Sequence, residues 1–424
     1  MKRYEKYKPT GIQWLPEIPE HWNSIKIKYC FNQRSEKGFP NEPVLCATQS
    51  KGVIPQSLYE NRVVVVNKGF EGLKLVKIGD FVISLRSFQG GIEYAYYQGI
   101  ISSAYTILTP KDERNSKYFK LIFKSHPFIQ LLQTCVTGIR EGQNINYSVL
   151  GNNFIPIPPI HEQNKIVAYL DKRITLIDNC KCQRERELRT LNELKQAEIA
   201  SVVTRGLNPN VPMKDSGIPW IGQIPVHWDM KYLFQVAHEH YISNKDIHHQ
   251  NLLSLSYGKI VHKDINTTEG LLPASFDTYQ IIEPGNIVFR FTDLQNDHKS
   301  LRVGLSKETG IITSAYIAVE VDTIYILPEY FYYTLHSFDI KKLFYSMGGG
   351  LRQSLNYNGI RKLYLPIPPL EEQKAIVSFV DNKIKKIEVM IQSLESEIDR
   401  LTEYKQRLIS DVVTGQIDVR GEQI

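Results

Sequence analysis

The sequence predicts an α+β protein in tandem pseudo-repeat, with two mixed α/β domains each followed by one long α-helix. Three observations predict it. A frame occurs twice: GIQWLPEIPEHW from Gly11 returns as GIPWIGQIPVHW from Gly217, IPIPPIHEQNKIV from Ile155 as LPIPPLEEQKAIV from Leu365, and SVVTRG from Ser201 approximately as DVVTGQ from Asp411. Between these shared ends the stretches from Ser35 to Pro110 and from Asn244 to Leu327 have diverged, with only scattered matches such as Ser103-Ala104-Tyr105 and Ser314-Ala315-Tyr316. After each proline-rich segment comes an apolar series spaced by alternating threes and fours. Self-similarity of this kind sets the unit of the fold, so one scaffold carries two different inserts.

Taken in order, residues 1–155 read as the first domain, 156–206 as its helix, 207–216 as a linker marked by Pro209 and Pro212, 217–365 as the second domain, and 366–424 as the second helix with a tail. Val63 to Val66, Phe81 to Leu85, Ala104 to Leu108, Ile287 to Phe291 and Ala315 to Val321 are short, apolar and rich in β-branched and aromatic residues, which favours strands. Tyr118 to Leu132 and Tyr330 to Tyr345 have the look of helices.

The long helices carry the clearest signal. In the second copy Val377, Val380, Ile384, Ile387, Ile391, Leu394, Ile398 and Leu401 form a coiled-coil seam. The first copy keeps the register as Val167, Leu170, Ile174, Ile177, Leu188 and Leu191, but the polar Lys181 and Arg184 interrupt its middle. Each helix is expected to start just after its Pro-Pro pair, where Glu162, Glu371 and Glu372 complement the positive end of the helix dipole. Gly206 and Gly415 mark the stops. A helix from Glu162 to Thr204 is a rod of roughly 60 Å at 1.5 Å per residue. It can pack on its own domain, zip with a second copy of the chain, or pair with its counterpart; two matched helices in one chain favour the last.

Composition excludes some classes and leaves others open. A chain of 424 residues that is 42% hydrophobic can bury sizeable cores. The polar start MKRYEKYKPTG and the lack of a long apolar run lead us to expect a soluble, cytoplasmic protein. Five unevenly spread cysteines suit reduced thiols better than a disulfide framework. Cys180 and Cys182 point to different faces of a helix and make a poor metal pair. The net charge of +6 is compatible with a polyanionic partner without requiring one.

No catalytic motif survives inspection. There is no G-x-x-x-x-G-K-[ST] loop, no H-E-x-x-H and no G-x-S-x-G elbow. Nor is there an Asn-Pro-Pro-aromatic tetrapeptide for holding a flipped adenine. Gly348, Gly349 and Gly350 read as a flexible loop rather than a phosphate cradle. His238, His240, His248 and His249 lack metal-ligand spacing and read as a solvated polar segment, so no metal ligands are expected.

The polar constellations paired between copies are more informative. Arg140 and Gln143, with Thr137, Gly138 and Asn144, precede the first proline-rich segment; Arg352 and Gln353, with Gly349, Gly350 and Asn356, precede the second. Arginine forks and amides suit phosphate oxygens and base edges, although a structural turn with a surface arginine gives the same pattern. Arg86 and Gln89 follow the Phe81 strand, and Arg290 and Thr292 follow the Ile287 strand. Polar loops leaving strands commonly recognise ligands, and a solvated loop is the alternative.

These pieces together resemble the specificity (S) subunits of type I restriction-modification systems. The resemblance is carried by DSGIPWIGQIPVHWDMKYL (Asp215 to Leu233) with its earlier echo, by the two IPIPP-x-x-EQ-x-x-IV helix starts, and by the VVTG-like ends near Val203 and Val413. It covers essentially the whole chain. It implies that each insert is a target-recognition domain and that the two helices pack as an antiparallel coiled coil spacing them. The implied function is sequence-specific binding of double-stranded DNA without catalysis. The implied partners are adenine-N6 methyltransferase subunits, two by the near-symmetry of the frame, and an ATP-dependent translocase and endonuclease subunit; no membrane is involved. S-adenosylmethionine, ATP and magnesium then belong to those partners, none being bound directly by this chain.

Such an arrangement lets each domain enter a neighbouring major groove about one DNA turn, ~34 Å, from the other. Unlike inserts imply unlike half-sites, hence a split, asymmetric target. The residues expected at the DNA are Arg86, Gln89, Arg140, Gln143, Arg290, Thr292, Arg352 and Gln353. A recognition part of a single-chain restriction-methylation enzyme and a protein-only coiled-coil adaptor are the rival readings.

Overall fold

The computed structural model describes residues 2–59, 69–137, 144–245, 247, 249–265, 275–294, 297, 300–347 and 355–422. They form two compact units that cut across chain order, one made of 1–185 with 396–424 and the other of 186–395. Each unit therefore holds one mixed domain, the opening part of the helix that follows it, and the closing part of the other helix.

In the first unit an antiparallel sheet runs in the order Phe31–Arg34, Thr106–Pro110, Phe81–Ile83, Glu93–Tyr94. Two of these strands match the sequence expectation, with slightly different ends. The sheet's apolar residues close on short helices through a buried aromatic cluster of Phe31, Phe81, Phe119, Phe123 and Phe128. The helix expected from Tyr118 to Leu132 is broken into Ser116–Ile122 and His126–Thr134. Pro127 has no N–H to offer the Phe123 carbonyl, so the backbone restarts at Ser125. The expected strand Val63 to Val66 lies outside the described residues.

The second unit repeats the sheet order with Ala237–His240, Ile317–Val321, Ile287–Phe289 and Val303–Leu305. The expected helix from Tyr330 to Tyr345 ends early, as Pro328–Ile340 followed by a 3-10 turn at Leu343–Ser346, because Lys342 takes a left-handed conformation at φ 59°. In both units the strand after the His-Trp pair lies antiparallel to the strand before the long helix: Asn23–Lys26 with Phe154–Ile157, and Asp229–Tyr232 with Tyr364–Ile367.

The long helices span Ile160–Arg205 and Leu370–Val413. Both stop at a left-handed glycine, Gly206 at φ 73° and Gly415 at φ 76°, where a residue without Cβ ends the helix at little cost. Every expected seam position, from Val167 to Leu191 and from Val377 to Leu401, is buried or half-buried.

Within each unit the two helices run antiparallel. In the first, Lys405 Nζ lies 2.7 Å from Asp178, Lys181 Nζ donates to Thr402 Oγ1 at 3.0 Å, and Arg184 Nε reaches Glu397 Oε1 at 3.0 Å. In the second, Lys195 meets Glu388 at 2.7 Å and Lys383 meets Glu198 at 3.1 Å. Lys181 and Arg184, the interruption in the apolar series, are thus paired across the seam. The five cysteines are all free thiols. Among the described residues no helix is long and apolar enough to cross a membrane.

Candidate nucleic-acid interface

The shared motifs turn out to be fasteners. Trp22 is fully buried and its indole N–H donates to Glu162 Oε2 at 2.6 Å, while His21 Nε2 sits 2.9 Å from the same oxygen. Trp228 and His227 hold Glu372 in the same way, at 3.0 and 2.8 Å. A buried indole N–H and a carboxylate each need a partner, and here each supplies the other's. The adjacent Gln163 and Gln373 donate back to the carbonyls of Pro158 and Pro368, both at 2.9 Å.

The end of the other helix is fixed next to this point. Tyr118 donates to the Val413 carbonyl at 2.8 Å in the first unit, and Tyr330 to the Val203 carbonyl at 3.0 Å in the second. Gly415 lies so close to Trp22 and Pro19, and Gly206 to Trp228 and Glu372, that a Cβ would fall 2.5 Å from Pro19 in one and 2.8 Å from Glu372 in the other. Gly415 is needed for contact as well as for φ, whereas at Gly206 the close atom ends a flexible side chain and φ is the firmer demand.

Each sheet then projects a loop that carries two of the expected DNA-contacting residues. In the first unit the loop after Phe81–Ile83 contains the short helix Ser87–Gly90; Arg86 is exposed at its start and Gln89 is exposed within it. Lys124 ties the loop down, donating to the Gly90 carbonyl at 2.8 Å and the Gln49 carbonyl at 3.3 Å while pairing with Glu93 at 2.5 Å. Burial pushes the Glu93 carboxyl up from 4.5 to about 7, with Lys124 opposing the shift. Gly91, at φ 84°, passes so close to the Phe123 carbonyl that any side chain there would collide with it.

In the second unit Arg290 and Thr292 follow Ile287–Phe289 and are half-buried. Arg290 Nη2 lies 3.9 Å from Asp297 Oδ2, and the Thr292 carbonyl accepts from Arg302 Nη1 at 2.9 Å. Arg302 is fully buried. Neither Lys124 nor Arg302 stands out in the sequence; the only trace of Arg302 is a charge inside the otherwise apolar LRVGL run from Leu301.

Arg140, Gln143, Arg352 and Gln353, with Gly348 to Gly350, lie outside the described residues. The flanking strands Val136–Thr137 and Asn144–Ile145 pair with each other. Asn356, read from sequence as a recognition amide, is instead the N-cap of Tyr357–Ile360, its Oδ1 accepting from Gly359 N at 3.1 Å. His238 and His240 share one face of a strand, each 3.5 Å from Glu320 Oε2. Among the described residues no cluster of three metal-ligating side chains forms.

Comparison with known proteins gives the family. The model of the type I restriction modification DNA specificity domain matches residues 19–190 and 303–400, more than half of the chain. A protein of Methanocaldococcus jannaschii assigned as the MjaX type I restriction enzyme specificity subunit is 24% identical, over 98% of this chain and 97% of its own length. The MjaVIII specificity subunit of the same organism is 22% identical over 95% of both chains. A solved chain from work on complex assembly and conformational transition of the type I R-M system covers 94% of this chain and 99% of its own, with a TM-score of 0.66 at 14% identity. That likeness concerns the fold.

Proposed function

Because the chain belongs to the type I restriction-modification DNA specificity family, we propose that it is the non-catalytic subunit that binds a bipartite, asymmetric DNA target and docks methyltransferase subunits. The observation that carries this reading is the recurrence of one sheet order and one Glu–Trp fastening around two unlike loops. A shared frame offers similar surfaces to two copies of one partner. Unlike loops read unlike half-sites, separated by a middle that the helices leave unread.

Double-stranded DNA is the ligand, with Arg86, Gln89, Arg290 and Thr292 at the base edges or phosphates, joined by Arg140, Gln143, Arg352 and Gln353. An adenine-N6 methyltransferase supplies the chemistry and holds S-adenosylmethionine. A translocase and endonuclease subunit holds ATP and magnesium. Truncating a base-reading arginine then relaxes one position of the target at a cost of ~1 to 3 kcal/mol, whereas losing a phosphate contact weakens all sequences alike.

The test is to co-express the chain with its methyltransferase and map methylated adenines across host DNA. One split motif that disappears when this chain is omitted supports the reading. A verified complex with an active methyltransferase and no such motif would overturn it, and binding insensitive to changes at all eight residues would overturn the site.

A further inference from the structure

Arg302 is a charged side chain with no exposure at all, placed one residue before the strand Val303–Leu305. Burying a guanidinium is costly unless its donors are met, and here all five are. Nε donates to the Tyr345 hydroxyl at 3.2 Å; Nη1 donates to the carbonyls of Arg290 at 3.4 Å and Thr292 at 2.9 Å; Nη2 donates to the carbonyls of Asp293 at 3.4 Å and Asp297. A guanidinium has five N–H groups in a fixed planar fork, so the side chain reads as a template for this stretch of backbone.

The loop it gathers departs from ordinary backbone at one point: Asp293 sits in the left-handed region at φ 57°, uncommon for a residue other than glycine although Asp takes it more readily than most. The Tyr345 hydroxyl accepts from Arg302 and donates to the Asp297 carbonyl at 3.0 Å, bracing the far side of the loop. The backbone N–H of Arg302 donates to the buried Asp339, which anchors the fork to the helix Pro328–Ile340. Asp297 in turn lies 3.7 Å from Arg302 and 3.9 Å from Arg290, so the same cluster orients the Arg290 side chain.

We infer that Arg302 is a specificity-positioning residue: without touching DNA, its buried fork sets the backbone of the loop carrying Arg290 and Thr292 and so determines one half-site of the target. The inference rests on the function proposed above. A lysine has three donors on a point charge and cannot reproduce the planar fork. A buried cation kept merely for stability would, when altered, reduce binding to all sequences together and leave base preference unchanged.

The experiment uses the full chain with its methyltransferase, comparing the natural protein with R302K, R302M and Y345F in methylated-adenine mapping. We expect R302K and R302M to lose about tenfold or more of the discrimination at one or more positions of a single half-site, the size of a mismatched base pair. The other half-site keeps its preference. Y345F shifts the same half-site by less. If methylation falls in parallel at every site with the motif intact, or if R302K retains full discrimination, the inference is overturned. Should the Arg302 variants fail to accumulate, Y345F decides: an unchanged motif counts against the inference and a relaxed half-site for it. Failure of the underlying function shows separately, as no chain-dependent motif with the natural protein.

Discussion

His21, Trp22 and Glu162 in one half, and His227, Trp228 and Glu372 in the other, solve one problem with the same three residue types at nearly the same distances. The loops a few strands away solve theirs differently: a lysine beside a buried glutamate holds the first, and a buried arginine fork holds the second. On the function proposed above, repetition serves a frame that meets the same kind of partner twice, and divergence serves two loops that read different sequences, each with its own buried anchor. The frame is accordingly the place to look for equal effects and the loops for unequal ones.

The largest expected effect tests the equality. Trp22→Ala and Trp228→Ala each remove a fully buried indole and the hydrogen bond it donates to a carboxylate, and each should destabilise the chain by ~3 to 5 kcal/mol. Denaturant unfolding of the two variants in parallel checks this; a silent change in one half would break the correspondence of the fasteners.

The next effect concerns the loops and depends on pH. Glu93 titrates at about 7 in the folded chain against an ordinary 4.5, raised by burial, and Asp339 behind the Arg302 loop titrates at about 6 against 3.8, also raised by burial. A carboxyl with a raised folded value binds more protons folded than unfolded between the two values. Its contribution to stability is therefore complete below the unfolded value and is lost as pH rises through the folded one. For Glu93 the window runs from 4.5 to about 7 and the change is on the order of 3 kcal/mol. Unfolding measured across that window should show the decline in the natural chain and a flatter profile in Glu93→Gln; equal slopes in both would remove Glu93 as its source.

Much of this arrangement is legible in the sequence, for reasons that differ by residue. The seams are legible because apolar residues spaced by threes and fours over many turns form a single stripe only on a helix, and the stops because Gly206 and Gly415 stand just past the Val-Val-Thr runs that close both copies. The partners of those glycines are not, since that the end of one helix meets the Trp of the other half is a fact of topology rather than of local pattern. Pro127 and Lys342 break two expected helices, the first through a visible proline and the second through a left-handed lysine that no propensity announces. Among the expected site residues, Arg86 and Gln89 lie exposed on a loop after a strand, and Arg290 and Thr292 are on the matching loop but half-buried. Lys124 and Arg302 escape a reading of the sequence because a single cation among apolar residues looks like any surface charge until its acceptors are brought to it by the fold.

The fasteners also differ in degree, which sharpens the comparison. Glu162 is fully buried and meets His21, Trp22 and Arg420, whereas the Glu372 side chain is 25% exposed and meets His227 and Trp228. Removing Glu162 leaves an indole N–H buried without an acceptor, while water can reach part of the space left by Glu372. Glu162→Ala should therefore cost about 2 to 3 kcal/mol and Glu372→Ala about 1 kcal/mol, with equal losses in thermal unfolding arguing that exposure does not set the difference.

The smallest effect lies along the seam. Arg184 with Glu397 and Lys195 with Glu388 are ion pairs in different units, one filling the polar interruption and the other flanking an apolar stretch. All four side chains retain contact with water, so each pair should be worth only ~0.2 to 1 kcal/mol in a double-mutant cycle, and less as salt rises. If the Arg184 pair alone carried a coupling well above that range and insensitive to salt, the interruption would be a device for setting helix register. If both pairs fall within it, register belongs to Leu170, Ile177, Val380 and Ile387, the seam residues buried deepest.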